Sequence, residues 1–400
     1  AKGQLAWLQM KRDGYEADKN DIIVKINNEL VNLTETWNET VDSFVWQDKG
    51  EKIFFVAPTF GTMQLFEIQI SNKKENKPKQ LTEGQFDISG IVGQVNNTII
   101  VGKRDMNHAI ELYSVNLKTG EMTQITHEND AIYKSIELSK VEKRIVKTTD
   151  GKDMLTWVIY PPNFDSSKKY PTLLYCKGGP QGPLSQSYSY RWNYQLMAAN
   201  GYIIVAPSRR GMSGFGVEWN EQISTDYGGQ NMRDYLSAID DISKEPYVDT
   251  ERLGAIGASY GGYSVFYLAG IHEGRFKSFI AHDGMFNLRS MYGTTEELFF
   301  VNWDLGGAYW DKNNSKAQHS FEKFNPVNYV NKWTTPILII QGGKDYRVCI
   351  GQAQEAFQAA QLRGIKSRFL YFPEENHWVL KPQNGMVWQR EFYKWLKETL

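Results

Sequence analysis

Gly257-Ala-Ser-Tyr-Gly-Gly262 is the stretch around which the chain is organised. An apolar strand-like segment ends at Gly257, and an apolar helix-like segment begins at Tyr263. A serine on a sharp turn between a strand and a helix is the arrangement that exposes a nucleophile. The small residues on either side of Ser259 let the backbone pass close to itself, which frees the N–H of Tyr260 to face an oxyanion. The stretch predicts a serine nucleophile, with a serine that merely caps the helix as the alternative.

Composition excludes several classes of protein. The chain has 400 residues and a formal charge of −1, which predicts two or three domains without the basic patch of a nucleic-acid binder. No apolar run approaches the length of a membrane span. The two cysteines suggest no disulfide framework and fit a cytosolic or a periplasmic protein equally well. No metal-ligand spacing, phosphate-binding loop or dinucleotide fingerprint is present, so neither a metal nor a cofactor is expected.

The first ~135 residues have the pattern of a repeated β-structure. Three similar phrases end at Thr34, Thr82 and Thr126, at separations of 48 and 44 residues. A period in the mid-forties made of about four short strands is typical of β-propeller blades, although a β-sandwich with similar turns would share it. Because closed propellers use four to eight blades, three blades and a start at Ala1 suggest a fragment or a processed product.

From about Ser139 the pattern changes to strands that alternate with helices. The predicted strands are Trp157–Tyr160, Thr172–Cys176, Tyr202–Pro207, Arg252–Gly257, Ser278–Asp283, Pro336–Gln341 and Ser367–Phe372. Several are continuous apolar runs, as expected when both faces of a sheet are covered. Segments such as Asn231–Lys244 carry one apolar face and are predicted as helices. The sequence therefore predicts a partial β-propeller of about three blades over residues 1–138 and an α/β domain with a mostly parallel sheet over residues 139–400.

A serine nucleophile needs a histidine base and a carboxylate that orients the histidine. In α/β-hydrolases the three follow in the order serine, acid, histidine. Asp345 follows the predicted strand Pro336–Gln341, and His377 follows the next strand. Both then lie on loops at the sheet edge, so Ser259, Asp345 and His377 form the predicted triad.

Two further features complete the predicted site. The glycine-rich loop at Gly178-Gly179-Pro180 follows the strand Thr172–Cys176, so the N–H groups of Gly179 and Tyr260 are the predicted oxyanion donors. The alternative is an ordinary turn rich in glycine and proline. After the strand Ser278–Asp283 comes a group of apolar side chains that predicts a pocket for a medium apolar residue, or else part of the core. They are Phe286, Met291, Tyr292, Leu298 and Phe299.

These motifs carry a resemblance. Gly178-Gly179-Pro180, Arg210-Gly211, the stretch 257–263, and Asp345-Tyr-Arg-Val348 with His377 resemble the prolyl oligopeptidase family. Residues ~139–400 carry it strongly, and the dipeptidyl-peptidase V and acylaminoacyl-peptidase branch is the most similar. The sequence departs from it at Lys177, where relatives commonly have His or Tyr.

The resemblance implies an α/β-hydrolase peptidase domain with a propeller over its active site. The implied function is a serine exopeptidase that releases dipeptides from the amino end of short peptides with an apolar residue before the cut. It implies a periplasmic or secreted protein, with the cytoplasm as the alternative, and leaves a homodimer open. The rival functions are an acylaminoacyl-peptidase or oligopeptidase of the same family, a carboxylesterase, and a non-catalytic binding protein built on a propeller.

Overall fold

The computed structural model describes residues 4–71 and 76–400. The chain divides into two compact units. One consists of residues 1–138 together with 182–194 and 212–221, and the other of residues 139–181, 195–211 and 222–400. Along the two described ranges, no helix is both long and apolar enough to cross a membrane.

Three antiparallel sheets follow one another along the first unit. The first contains β1 (Ala6–Gln9), β2 (Asp21–Ile26) and β3 (Glu29–Asn32). The second contains β4 (Ser43–Trp46), β5 (Lys52–Thr59), β6 (Thr62–Gln69) and β7 (Lys79–Gln80). The third contains β8 (Asp87–Val95), β9 (Thr98–Asp105), β10 (His108–Asn116) and β11 (Met122–Gln124), and the short helix α1 (Asp130–Tyr133) follows it.

The middle sheet buries both of its faces. Because successive side chains of a strand point to opposite faces, Ile53 and Phe55 of β5 pack into a core shared with β2. Phe54 and Val56 point the other way, into a core shared with β9. Sheets stacked in this way match the predicted succession of blades.

The three repeated threonines occupy equivalent places in the three sheets. Each hydroxyl accepts a hydrogen bond from a strand N–H, and the pairs are Ile22 with Thr34 (3.0 Å), Leu65 with Thr82 (3.0 Å) and Leu112 with Thr126 (2.8 Å). Each hydroxyl also donates to the side chain just before that strand residue, which is Asp21, Gln64 and Glu111 in turn. The repeat in the sequence is therefore a repeated hydrogen-bonded turn that ties the last strand of a sheet to an earlier one.

The second unit is built on one eight-stranded sheet. Its strands are β12 (Val141–Lys147), β13 (Asp153–Ile159), β14 (Tyr170–Cys176), β15 (Ile203–Pro207), β16 (Val248–Ala258), β17 (Ser278–His282), β18 (Ile337–Gly342) and β19 (Ser367–Phe372). Their order in the sheet is β12-β13-β15-β14-β16-β17-β18-β19. The six strands from β15 to β19 in that order run parallel, and β12 and β13 pair antiparallel at one edge. The predicted mostly parallel sheet is confirmed.

The remaining helices are given in chain order. They are α2 (Tyr194–Ala199), α3 (Val217–Glu221), α4 (Gln230–Ile242), α5 (Tyr260–Leu268), α6 (Leu288–Tyr292), α7 (Leu298–Asp304), α8 (Ser315–Lys323), a 3-10 helix (Pro326–Lys332), α9 (Gly351–Leu362) and α10 (Pro382–Thr399). Every residue of α5 is buried, which explains why this helix is apolar all round rather than on one face.

The parallel strands bring their carboxyl ends to one edge of the sheet, where ligands of open α/β sheets bind. The loop after β14 begins at Lys177, and Ser259 follows β16 directly. Asp283 follows β17, Asp345 comes three residues after β18, and His377 lies on the loop after β19. Residues far apart in the sequence are thus collected on neighbouring loops.

Candidate active site

The turn between β16 and α5 is tight because the end of β14 runs beside it. A Cβ atom placed on Gly261 would lie 2.0 Å from the carbonyl oxygen of Cys176, and one on Gly257 would lie 2.5 Å from the oxygen of Gly261. Neither position has room for a side chain, which explains the two glycines of the motif.

Ser259 itself has φ 59° and ψ −123°, a backbone conformation that costs energy for a residue with a side chain and that clusters at active sites. It immediately precedes α5, yet within the described residues its hydroxyl makes no hydrogen bond that caps the helix. The alternative prediction, a serine that serves as a helix cap, is therefore wrong.

His377 and Asp345 meet as the motif order predicted. The Nδ1 atom of His377 lies 2.7 Å from Oδ2 of Asp345, and both side chains are buried. An ionised carboxylate only accepts hydrogen bonds, so we assign the ring proton to Nδ1. The other ring nitrogen, Nε2, is then the basic one, as a proton acceptor for a serine hydroxyl requires.

The Asp345 carboxylate is fixed by its own strand end. Its Oδ1 accepts hydrogen bonds from the N–H groups of Arg347 (3.0 Å) and Val348 (2.9 Å). Its Oδ2 also accepts one from the side-chain amide of Gln341 at 3.2 Å. These hydrogen bonds fix the carboxylate in the orientation in which it faces His377.

The serine turn and the histidine meet at a residue outside the predicted triad. Oδ1 of Asp283 accepts a hydrogen bond from the N–H of Ser259 at 2.7 Å, while its Oδ2 lies 3.6 Å from Nδ1 of His377. Burial lowers the pKa of His377, but the charge of Asp283 and the hydrogen bond to Asp345 raise it, and the net pKa lies above the ordinary value. The two carboxylates thus stabilise the imidazolium form relative to that of a free histidine.

The glycine-rich loop passes beside the serine. A Cβ atom on Gly178 would come within 3.4 Å of Cβ of Ser259, and Gly179 is the next residue. On the other side of Ser259, Tyr260 begins α5, and the N–H groups of a helix's first turn have no acceptor within the helix. The structure therefore places the loop of one predicted oxyanion donor and the helix start of the other next to Ser259.

Arg209 fixes the glycine-rich loop through hydrogen bonds. Its guanidinium donates to the carbonyl oxygens of Lys177 (3.1 Å) and Pro180 (2.9 Å), the residues on either side of the two glycines. It also donates to the Tyr235 hydroxyl at 2.9 Å and lies 4.8 Å from the centre of the Tyr260 ring. One buried cation thus fixes the loop relative to the start of α5.

Lys177 occupies the position where the sequence departs from the resembling family. Burial, and after it the neighbouring Arg209 cation, lowers the pKa of Lys177 to about 8. Its Nζ donates to the oxygen of Gly178 at 3.2 Å. Lys177 is therefore less basic than an exposed lysine.

We expect Arg209→Met to lower kcat about 10- to 100-fold, because a loop that holds an oxyanion donor loses its geometry. KM for a small ester should change far less, because Arg209 contacts the loop and not the bound ester. Steady-state kinetics on a p-nitrophenyl ester measure both constants. Arg233→Met, which removes an exposed arginine of α4, is the matched control. A wild-type kcat in Arg209→Met would show that the loop holds its shape without the guanidinium.

The predicted pocket residues are placed in two different environments. Phe286, Met291 and Tyr292 are buried, whereas Leu298 and Phe299 on α7 are 44% and 56% exposed. Phe286 packs against the rings of Phe266 and Trp333, which favours the core role that the sequence left open for it. The Tyr292 hydroxyl donates to Asn302 at 2.8 Å, and its ring meets a cluster of further aromatic rings. The five side chains do not form one uniform apolar surface.

Sequence reasoning missed Asp283 and Arg209. Asp283 stood at the end of a predicted strand and next to a glycine, and Arg209 preceded the Arg210-Gly211 motif. A charged residue at the carboxyl end of a buried strand is the signal that could have identified both, since such positions face the site. Their partners, however, lie on other loops and become visible only in the fold.

No resident metal or cofactor is assigned to the described residues. The one group of ionisable side chains there that comes close enough to share a cation consists of Asp283, Asp345 and His377, whose nearest atoms lie within 4.8 Å of one another. The hydrogen bond between Asp345 and His377, and the hydrogen bonds of both carboxylates to backbone N–H groups, account for this group.

Comparison with known proteins identifies the family. The model of the prolyl oligopeptidase family matches residues 188–400, and that of the dipeptidyl peptidase IV N-terminal region matches residues 9–155. The chain is 49% identical to a Porphyromonas gingivalis protein named dipeptidyl-peptidase 5 over 99% of its own length and 58% of that protein's. The chain thus spans little more than half of this relative.

Solved structures share the fold. The acylaminoacyl peptidase of Pyrococcus horikoshii superposes with a TM-score of 0.86 at 22% identity, covering 99% of this chain and 61% of the other. Dipeptidyl peptidase 4 of Porphyromonas gingivalis gives 0.80 at 19% identity, covering 100% and 55%. The α/β-hydrolase architecture preceded by a propeller-like region is thereby confirmed. Since the family model covers more than half of the sequence, the chain belongs to the prolyl oligopeptidase family.

Proposed function

We propose that the chain carries the catalytic unit of a serine exopeptidase that releases dipeptides from the amino end of short peptides. The observation that carries the proposal is the 2.7 Å contact between His377 and Asp345 on the edge of the sheet where the strained Ser259 turn also lies. The name of the 49% identical relative, dipeptidyl-peptidase 5, supports the choice of substrate class.

In the proposed reaction, Nε2 of His377 accepts the hydroxyl proton of Ser259 while the serine oxygen attacks the scissile carbonyl. The N–H groups of Gly179 and Tyr260 stabilise the oxygen that becomes negative. The protonated histidine then gives its proton to the departing amine, and an ester on Ser259 remains. Water attacks this ester with the same histidine as the base, and the dipeptide leaves. Asp345 keeps the proton on Nδ1 and stabilises the imidazolium throughout.

An apolar preference for the residue before the cut is part of the proposal. Met291 and Tyr292 are buried members of the predicted pocket. A hydrophobic pocket discriminates by about 1–3 kcal/mol for a methylene group, so a preference for medium side chains would be moderate rather than absolute.

Recognition of the substrate's amino group needs a carboxylate. Within the catalytic unit, Glu296 and Glu297 form an adjacent acidic pair, but Arg347 lies 3.5 Å and 2.7 Å from their oxygens and offsets their charge. The relative named dipeptidyl-peptidase 5 is much longer than this chain. We therefore propose that residues beyond these 400 supply much of the binding of the amino terminus in a protein of that length.

The test compares this chain with the full-length Porphyromonas gingivalis relative on substrates that share one residue before the cut. The substrates are a small activated ester, a dipeptidyl amide with a free amino end and the same amide with an acetylated end. We expect the chain to hydrolyse the ester but to be poor on the free dipeptidyl amide, because binding that lowers the barrier for the amide is lost.

Each outcome has a defined meaning when concentrations are corrected by active-site titration. Equal ester-to-amide ratios in the two proteins would place the amino-terminus site within residues 1–400. Faster cleavage of the acetylated amide by the chain would favour an acylaminoacyl-peptidase. A preference for Asp, Glu or Lys before the cut would contradict the apolar pocket.

A further inference from the structure

Asp283 lies at the centre of the site although the proposed reaction assigns it no role. It is the first residue after β17, and only 1% of its surface is exposed. Its N–H donates to the carbonyl oxygen of Ile340 at 2.8 Å, so the neighbouring strand β18 fixes its backbone. A buried carboxylate is costly unless it is well partnered, and the partners of this one are therefore informative.

The first partner is the backbone of the serine turn. The N–H of Ser259 points at Oδ1 of Asp283 (2.7 Å) and also at the carbonyl oxygen of His282 (2.9 Å). Both ends of this hydrogen bond have unfavourable backbone angles, with φ 59° at Ser259 and φ 42° at Asp283. Such conformations persist where surrounding contacts enforce them, and the bond between the two residues is one such contact.

The second partner is the ring of His377. Oδ2 of Asp283 lies 3.6 Å from Nδ1, the same nitrogen that is 2.7 Å from Asp345. At this distance Asp283 is too far for a strong hydrogen bond but close enough for a substantial charge interaction, since both groups are buried. Two carboxylates thus face one nitrogen of the imidazole.

The third partner lies behind the site. Trp388 of α10 donates its indole N–H to Nδ1 of His282 at 3.3 Å, so the neutral His282 ring carries its proton on Nε2. That nitrogen is 3.3 Å from Oδ2 of Asp283. This contact does not have hydrogen-bond geometry, so it is an electrostatic contact between two buried groups.

We propose that Asp283 is a second carboxylate partner of the catalytic pair, a positioning residue that ties the turn carrying Ser259 to the ring of His377 and stabilises the imidazolium alongside Asp345. The inference rests on the proposed serine mechanism. Asp283 contacts both catalytic groups, because one oxygen of its carboxylate accepts the backbone N–H of the nucleophile and the other oxygen faces the base.

The charges around the ring give the direction of the expected effect. The groups that face His377 are Asp283, Asp345 and the cation of Arg347, and those that face Asp283 are His282 and His377. Without the Asp283 charge, burial and the Arg347 cation still lower the pKa of His377. The pKa of His377 should then fall, so the free base should persist to lower pH.

The experiment is the pH dependence of kcat/KM for a small ester, measured on the 400-residue chain carrying Asp283→Asn. Asn keeps an oxygen that accepts the Ser259 N–H but removes the charge. We expect the acidic limb to move to lower pH by about 0.5–1 unit, because an opposite charge within reach contributes shifts of this order. The plateau should fall about tenfold, because one stabilising charge is lost from the transition state.

Glu374→Gln is the matched control, since it removes one carboxylate from the same loop as His377 at an exposed ion pair with Lys344. Its acidic limb should stay at the wild-type pH. An unmoved limb in Asp283→Asn would overturn the proposal even if the plateau fell, because a merely structural role changes the plateau alone.

If Asp283→Asn does not fold, Asp345→Asn carries the same test, since Asp283 is then the remaining carboxylate at Nδ1. The proposal expects its residual activity to keep an acidic limb at or above the ordinary histidine pKa of ~6.5. A limb well below that value, as burial alone would give, contradicts the proposal.

Ser259→Ala distinguishes a failure of the proposed mechanism from a failure of the proposed role of Asp283. Undiminished activity there refutes the proposed mechanism, whereas an inactive Ser259→Ala with an unmoved Asp283→Asn limb refutes only the role of Asp283.

Discussion

Ser259→Ala should lower kcat for ester and peptide hydrolysis by about 10⁵- to 10⁶-fold, since the nucleophile and its base act as one unit. His377→Ala should be equally damaging, and the double variant no worse than either single one. Asp345→Asn should retain more activity, with kcat lowered about 10⁴-fold, because the histidine stays in place but its proton is held on the wrong nitrogen.

Steady-state kinetics on one ester, with unfolding curves to show that each variant folds, measure these losses. Additive losses in the Ser259 and His377 double variant would mean that the two side chains act independently. His377→Ala with wild-type kcat/KM would mean that another group is the base. The other histidines after Ser259 are not equivalent candidates. His272 accepts the N–H of Phe276 on its Nδ1, His282 is buried, and the ring of His319 packs against Phe324.

Gly261→Ala should disrupt the turn between β16 and α5, although it adds only a single methyl group. The added Cβ would lie 2.0 Å from the carbonyl oxygen of Cys176, a backbone atom that cannot rotate away. Either β14 or the start of α5 must move, and a conflict of this kind lowers the free energy of unfolding by about 2–4 kcal/mol. Because Ser259 and the glycine-rich loop flank this contact, kcat should fall by more than about 100-fold.

Chemical denaturation and kinetics on the same preparation check the Gly261→Ala prediction. The control is Gly385→Ala, within helix α10, where an added Cβ meets nothing within 4 Å. That change should raise the free energy of unfolding by about 0.5–1 kcal/mol, because alanine favours a helix over glycine. If both glycine variants kept wild-type kcat, the close approach of β14 to the turn between β16 and α5 would have no functional importance.

The parallel sheet and the triad could be predicted because their signals are local. Buried parallel strands are continuous apolar runs, and the order of Ser259, Asp345 and His377 follows from the sheet topology. Strands with weaker patterns were missed. β12 lies at the edge of the sheet and has four charged residues among its seven, and β8 contains Gly90 and Gly93, which interrupt the pattern.

The supporting residues could not be predicted because their roles depend on contacts between loops. Asp283 matters through Ser259 and His377, and Arg209 through the carbonyl groups of the glycine-rich loop. No spacing along the sequence encodes these contacts. For the pocket, residue type indicated apolar character, but only the structure separates the buried Phe286 from the exposed Phe299. The homodimer and the periplasmic or secreted location stay predictions.

The central claim is that His377 activates Ser259 as a nucleophile. Its most direct test is labelling of the folded chain with a fluorophosphonate, read by intact mass and by mapping the modified peptide. We expect one adduct per chain on Ser259, formed rapidly in the wild type and at least about 10³-fold more slowly in His377→Ala. An adduct on another residue, or equal rates of labelling with and without His377, would contradict it.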